Sequence, residues 1–120
     1  MKERFFEVAK AMSKHSNHTM HKMGATLVKK NRIISTGYNK LKTHPRSLHP
    51  QSMIHAELDC ILGCSKEDLL GADLYIYRQH KDGKVANAKP CIYCSKLIEQ
   101  TGIKNIYYTN NGTFCKMDNK

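Results

Sequence analysis

Two short motifs constrain this chain more than anything else in it. They are His55-Ala56-Glu57 and Pro90-Cys91-Ile92-Tyr93-Cys94, with 32 residues between Glu57 and Pro90. Each opens a predicted helix that follows a loop. Helix N-termini present unpaired backbone N–H groups and the positive end of the helix dipole. Both favour thiolate over thiol. Two such helices side by side can aim one imidazole and two thiolates at one point. That is a three-ligand set for Zn²⁺ with the fourth position open to water, as in catalytic rather than closed structural zinc sites. Glu57, two residues past the imidazole, falls close to that water without being a ligand.

The rest of the pattern supplies a scaffold. Phe5, Ala9 and Met12 at i, i+4, i+7 predict a short helix over residues 4–12. Two β-branched runs, 24–30 and 32–38, flank Lys30-Asn31 and predict an antiparallel hairpin. Residues 14–21 are polar and His-rich, a loop. Residues 40–53 hold Pro45 and Pro50 without periodicity, and a loop of that length in a small domain is usually functional. A helix is expected from His55 to Leu62, ending near Gly63 or Cys64. A strand follows at 73–78, then a polar loop to Pro90. Cys91 to Thr101 reads as a helix with Leu97 and Ile98 inward and Gly102 as its stop. Residues 105–109 read as a strand. Asn110-Asn111-Gly112 is turn chemistry, and residues 113–117 are expected to form a last short strand. This order suits an α/β sandwich with helices flanking a sheet.

Composition narrows the function classes. The 120 residues are expected to form a single domain over 1–120. The net charge is +10, and it is one-sided: from Val8 to Ala56 there is no carboxylate, while six of the seven histidines lie there. A basic field of this kind attracts nucleotides, nucleic acids or acidic surfaces; the alternative is a lysine-rich surface kept for solubility. No run approaches the ~18 apolar residues of a membrane span, so no membrane partner is expected. The start, Met1-Lys-Glu-Arg-Phe-Phe-Glu, carries no secretory pattern. Five cysteines are an odd count and too sparse for a disulfide scaffold. A reducing, cytoplasmic setting is therefore expected, where closely spaced cysteines serve metals or catalysis.

His-x-Glu followed by Pro-Cys-x-x-Cys is the general signature of zinc nucleobase deaminases, and here it is matched rather than derived. The chain resembles the cytidine/deoxycytidylate deaminase superfamily from about Gly24 to Thr109. The likeness includes Gly24-Ala-Thr-Leu-Val28, Ile33-Ile-Ser-Thr-Gly-Tyr-Asn39, both zinc motifs in order, and Gly102-Ile-Lys-Asn-Ile-Tyr-Tyr108. The resemblance implies a three-layer α-β-α fold with a mixed sheet of about five strands. It implies one zinc per chain on His55, Cys91 and Cys94, with Glu57 as proton shuttle. It implies that Asn39 touches the sugar and that the Ala56 N–H meets the pyrimidine carbonyl. The Lys89 carbonyl would accept from the exocyclic amine, and Thr26 would line the same pocket. Family members often associate, so a homo-oligomer is expected.

Several readings stay open. The nucleotide and nucleic-acid branches of the family usually carry another helix before a parallel fifth strand. Here only eleven residues follow Thr109, and a tight hairpin would make the last strand antiparallel, as in the free-nucleoside branch. The body nevertheless looks like the deoxycytidylate type. A cytosine nucleotide or nucleoside is the leading substrate class, with dCMP first. Deamination of cytosine or adenine in single-stranded DNA or RNA is the second. A silent nucleic-acid-binding module with a structural zinc, completed by Cys60, Cys64 or Cys115, is the third; Glu57 argues against it. Cys60 and Cys64 otherwise read as buried core thiols, and His15, His18 and His21 as solvated loop residues. Tyr75, Tyr77, Tyr107 and Tyr108 lie on strands, where alternate members should be core. Lys40, Lys42, His44 and Arg46 either grip phosphate or form an exposed basic loop.

Overall fold

A computed structural model describes residues 3–16, 21–39, 56–62, 64–80, 84–85, 87–88, 96, 98–110 and 112–118. In chain order they form α1 (Glu3–Ser13), β1 (His21–Lys29), β2 (Arg32–Tyr38), α2 (Ala56–Leu62), α3 (Lys66–Leu69), β3 (Asp73–His80), β4 (Asn105–Asn110) and β5 (Thr113–Asp118). The first hairpin turns where expected. Lys30 and Asn31 adopt φ of 52° and 63°, the left-handed pair that matches the twist of two-residue hairpins. Lys29 faces Arg32 across it, and a register shift after Leu27 bulges β2 around Ile34.

The five strands lie in the order β2-β1-β3-β4-β5. Among neighbouring strands in this sheet, β3 and β4 pair in parallel, and β5 returns antiparallel to β4 with Asn110 opposite Thr113. The antiparallel last strand is thus the one that Asn111-Gly112 favours. Because β1 opposes β3, β2 opposes β1 and β5 opposes β4, all five strands have an end on one edge of the sheet. They are the C-terminal ends of β2, β3 and β4 and the N-terminal ends of β1 and β5.

Strand alternation sorts side chains onto two faces. On one, α1 buries Phe5, Phe6, Ala9 and Ser13. Sequence periodicity put Met12 on this face; Met12 is only half-buried. The helix turns Ser13 inward instead, its hydroxyl satisfied by the Lys10 carbonyl at 2.6 Å. Phe5 and Phe6 meet Tyr75, which stacks on Tyr107 at 4.8 Å between ring centres. Tyr77 is buried as well, while Tyr108 is half-buried and packs on the opposite core. That opposite face carries Ala25, Leu27, Leu74, Ile76 and Ile106, covered by Ala56, Cys60 and Ile61 of α2, Leu69 of α3, and Ile98. The result is the three-layer arrangement. Lys96, Ile98 and Glu99 are helical, as expected for the stretch after Cys94. Among the described residues, no helix is long and apolar enough to cross a membrane.

Sequence reading missed α3. Its signal was there: Ser65 accepts from the Asp68 N–H at 3.2 Å, and Asp68 accepts from the Ser65 N–H at 3.3 Å, a capping box.

Cys60 is a core thiol, as expected, but Cys64 lies just past α2 and is half-buried, its Sγ donating to the Cys60 carbonyl at 3.4 Å. Burial pushes the Cys60 thiol from an ordinary 9.0 up to about 12. The folded chain therefore holds that proton while the unfolded chain releases it. Stability from this group is full below pH 9 and falls as pH rises from 9 toward 12. Alkylation of the native protein at pH 8, read by peptide mass mapping, should leave Cys60 unmodified until the chain unfolds.

Candidate active site at the shared edge of the sheet

The shared edge is where an α/β sheet offers a ligand site, beyond the C-terminal ends of its parallel strands. Asn39 follows β2 there and is buried. Its Oδ1 accepts from the Met23 N–H at 2.9 Å, and its own N–H donates to the Met23 carbonyl at 3.3 Å. A backbone N–H can bond only to the amide oxygen, so the amide orientation is fixed and Nδ2 is the donor end.

The start of α2 lies over the same end of β2. Asp59 Oδ2 accepts from the Tyr38 N–H at 3.1 Å, and Ser35 Oγ donates to the Cys60 carbonyl at 2.8 Å. The two bonds fix the helix along the strand. They hold Ala56, which is fully buried, and with it the backbone of Glu57 on the first helical turn. Nothing in the sequence marked Asp59 for this clamp, because its partner is a backbone group 21 positions away.

The approach to the second motif reaches this edge too. The Ala88 N–H donates to the Thr109 carbonyl at 2.7 Å. Ala88, Ala56 and Ile98 belong to one buried cluster. The neighbours of both motifs are therefore packed together on one side of the sheet.

Of the residues singled out by sequence, the structure brings Asn39, Ala56 and the Glu57 backbone to this edge. Thr26 is a correction. It pairs with Thr36 and Tyr75 on the face toward α1, opposite the face covered by α2. Alternation decides this: Ala25 and Leu27 point toward α2, so Thr26 between them cannot. Its buried Oγ1 has no hydrogen-bond partner among the described residues. Thr26→Val should therefore leave turnover unchanged and raise the melting temperature, because it removes an unpaired buried hydroxyl at constant shape. Thermal unfolding beside a kcat measurement would check this, and lost activity would return Thr26 to the pocket. His55, Lys89, Cys91 and Cys94 lie outside the described residues, as do Lys40, Lys42 and Arg46 of the basic loop.

The family model described as the cytidine and deoxycytidylate deaminase zinc-binding region matches residues 1–110. The chain belongs to this deaminase family. The deoxycytidylate deaminase of Mycobacterium phage D29 is 32% identical, covering 88% of this chain and 91% of the phage protein. The dCMP deaminase of cyanophage S-TIM5, solved in apo form, superposes with a TM-score of 0.67 at 30% identity, over 92% of this chain and 86% of its own. The cytidine deaminase of Burkholderia pseudomallei shares the fold, with a TM-score of 0.67 at 17% identity, over 98% of this chain and 92% of its own. The family fold accounts for the start of α2 lying at the edge where β2, β3 and β4 end.

Proposed function

We propose that this chain is a zinc-dependent hydrolytic deaminase that converts dCMP and water to dUMP and ammonia in the cytosol. One observation carries the reading. Asn39, the first turn of α2 and the segment entering Pro90-Cys91 converge on the same sheet edge, in a chain of the deaminase family. The deoxycytidylate relatives at 30% identity or above favour the nucleotide over the free nucleoside.

The residues suit zinc. One imidazole and two thiolates are its preferred donors. Ala56, which follows His55, packs in the same cluster as Ala88 and Ile98, which bracket the cysteines in sequence. His55, Cys91 and Cys94 would hold the ion. When bound, zinc supplies an acidified water at neutral pH.

The chain's own groups do the rest. Asn39 Nδ2 holds the sugar, the Ala56 N–H holds the pyrimidine carbonyl, and the Lys89 carbonyl aligns the exocyclic amine. Glu57 takes one proton from water and delivers it to N3 of the ring. Once the water oxygen is bonded to C4, the same carboxylate takes that hydroxyl's remaining proton and passes it to the amine, which leaves as ammonia while the C4 carbonyl forms. Lys40, Lys42 and Arg46 are the candidates for the 5′-phosphate.

A mass-based product assay offering C, dC, CMP, dCMP, dCTP and cytosine oligonucleotides in parallel tests the reading. Turnover should be greatest on dCMP, with about one zinc per chain by metal analysis. Neutralising Lys40, Lys42 and Arg46 together should cost roughly tenfold or more in kcat/KM for dCMP and little for deoxycytidine, since one charge-assisted phosphate contact contributes about 1.5–3 kcal/mol. Activity confined to oligonucleotides and steeply lost with salt would instead identify a polynucleotide deaminase.

A further inference from the structure

The parallel ladder between β3 and β4 has its last pair at Ile76 and Tyr108. Beyond it a different set of bonds takes over. The Arg78 N–H donates to Thr109 Oγ1 at 3.3 Å, a side chain standing in for the next backbone acceptor. The Thr109 carbonyl accepts from Ala88 instead, at 2.7 Å. Arg78 then closes the circuit, its Nη1 donating to the Asn87 carbonyl at 3.3 Å. Gln79 bridges Val85 alongside. Ala88 and Thr109 are both buried. The strand ends thus open around Val85, Asn87 and Ala88 and hold them from both sides.

We propose that Arg78 and Thr109 form a latch that positions the Pro90-Cys91 motif. Arg78 lies on the face covered by α2, because it shares alternation with Leu74 and Ile76. It stands opposite Met23, whose N–H is held by Asn39, so the latch adjoins the sugar-reading residue. Two residues separate Ala88 from Cys91, and one separates Asn87 from Lys89. Where the latch fixes this segment decides where the Lys89 carbonyl and the Cys91 sulfur fall.

Arg78 keeps its Nε buried without a hydrogen-bond partner among the described residues. An unpaired buried N–H is unfavourable, and an apolar side chain of similar length would avoid it. A group kept at such a cost calls for a specific role. Here the role is to hold Nη1 on the Asn87 carbonyl. Arg78 and Thr109 are positioning residues, not catalytic ones.

The inference rests on the proposed zinc deaminase reading, and the tests separate the two. Arg78→Met and Thr109→Val are compared with Thr109→Ser, which keeps the acceptor. Hydrogen exchange on the full-length protein reads the latch directly, without activity. Exchange at the Ala88 amide should be about tenfold faster in Arg78→Met and Thr109→Val, and near wild type in Thr109→Ser. Unchanged exchange in Arg78→Met overturns the latch. Chelator-driven zinc release should accelerate about tenfold in the first two variants. kcat on dCMP should fall more than KM rises, because small displacements act on the reacting geometry. The double variant Arg78→Met/Thr109→Val should be no worse than the weaker single one, since both break one circuit. Faster exchange with unchanged zinc release and kcat overturns the positioning role and leaves a loop tie. Wild-type protein that holds zinc but ignores dCMP overturns the substrate reading alone, and exchange and zinc release still decide the latch.

Discussion

Glu57→Gln is expected to fold and to bind zinc as the wild type does, yet to lose about 10² to 10⁴ in kcat on dCMP. The two halves of this expectation have different sources. The helix start does not depend on the Glu57 side chain, because Asp59 and Cys60 fasten α2 to β2 through Tyr38 and Ser35. Glutamine at this position keeps length and shape, so the backbone N–H of Ala56 stays where it was. The chemistry does depend on the carboxylate. An amide cannot take a proton from water at neutral pH, and it has none to pass to the ring nitrogen or the leaving amine. Because one group serves all three transfers, the loss should sit at the upper end of that range. Glu57→Ala should lose as much and bind substrate less well. Loss of absorbance on conversion to dUMP gives kcat, and metal analysis with far-UV circular dichroism checks zinc and fold. More than roughly a tenth of wild-type activity in either variant would demand another base.

What the sequence revealed, and what it did not, follows from the range of each interaction. The Lys30-Asn31 hairpin and the antiparallel return at Asn111-Gly112 were legible because turn chemistry is local. The capping box of α3 was equally local and was simply passed over. The side of the sheet that Thr26 faces was not legible. Alternation shows that Thr26 and Ala25 point opposite ways, but only the packing of α1 on Gly24 and of α2 on Gly37 says which way is which. The Asp59 clamp and the Arg78–Thr109 circuit join positions 21 and 31 apart, and neither has a motif. The proposed zinc donors rest on a motif for the opposite reason: a metal dictates residue type and spacing whatever the fold around it.

Two glycines yield the other large effect, and they separate stability from catalysis. Gly24 and Gly37 lie on neighbouring strands and face opposite sides of the sheet. A Cβ on Gly24 would stand 1.8 Å from the Ala9 carbonyl oxygen and 2.7 Å from the Ser13 nitrogen. A Cβ on Gly37 would stand 2.6 Å from the Cys60 nitrogen and 2.7 Å from the Ala56 carbonyl oxygen. All of these are backbone atoms, so no side-chain rotation relieves the clash and the helix itself must move. Gly24→Ala lifts α1, which carries Phe5 and Phe6 of the aromatic core but no site residue. It should cost about 3 kcal/mol or more, at the severe end of overpacking, and lower the melting temperature by well over 10 °C, since each kcal/mol is worth about 4–8 °C in a small domain. Turnover per folded molecule should change little. Gly37→Ala presses on a shallower clash, and about 1–3 kcal/mol is expected. Its helix, however, carries Ala56 and Glu57 into the site. A shift on the order of 1 Å there is enough to cost about 10²-fold in kcat. Melting temperature and kcat at a temperature where both variants are folded should therefore rank the two in opposite orders. If Gly24→Ala proved the more damaging to kcat, the site would lie on the α1 face, and the assignment of the shared edge to Asn39 and Ala56 would fail.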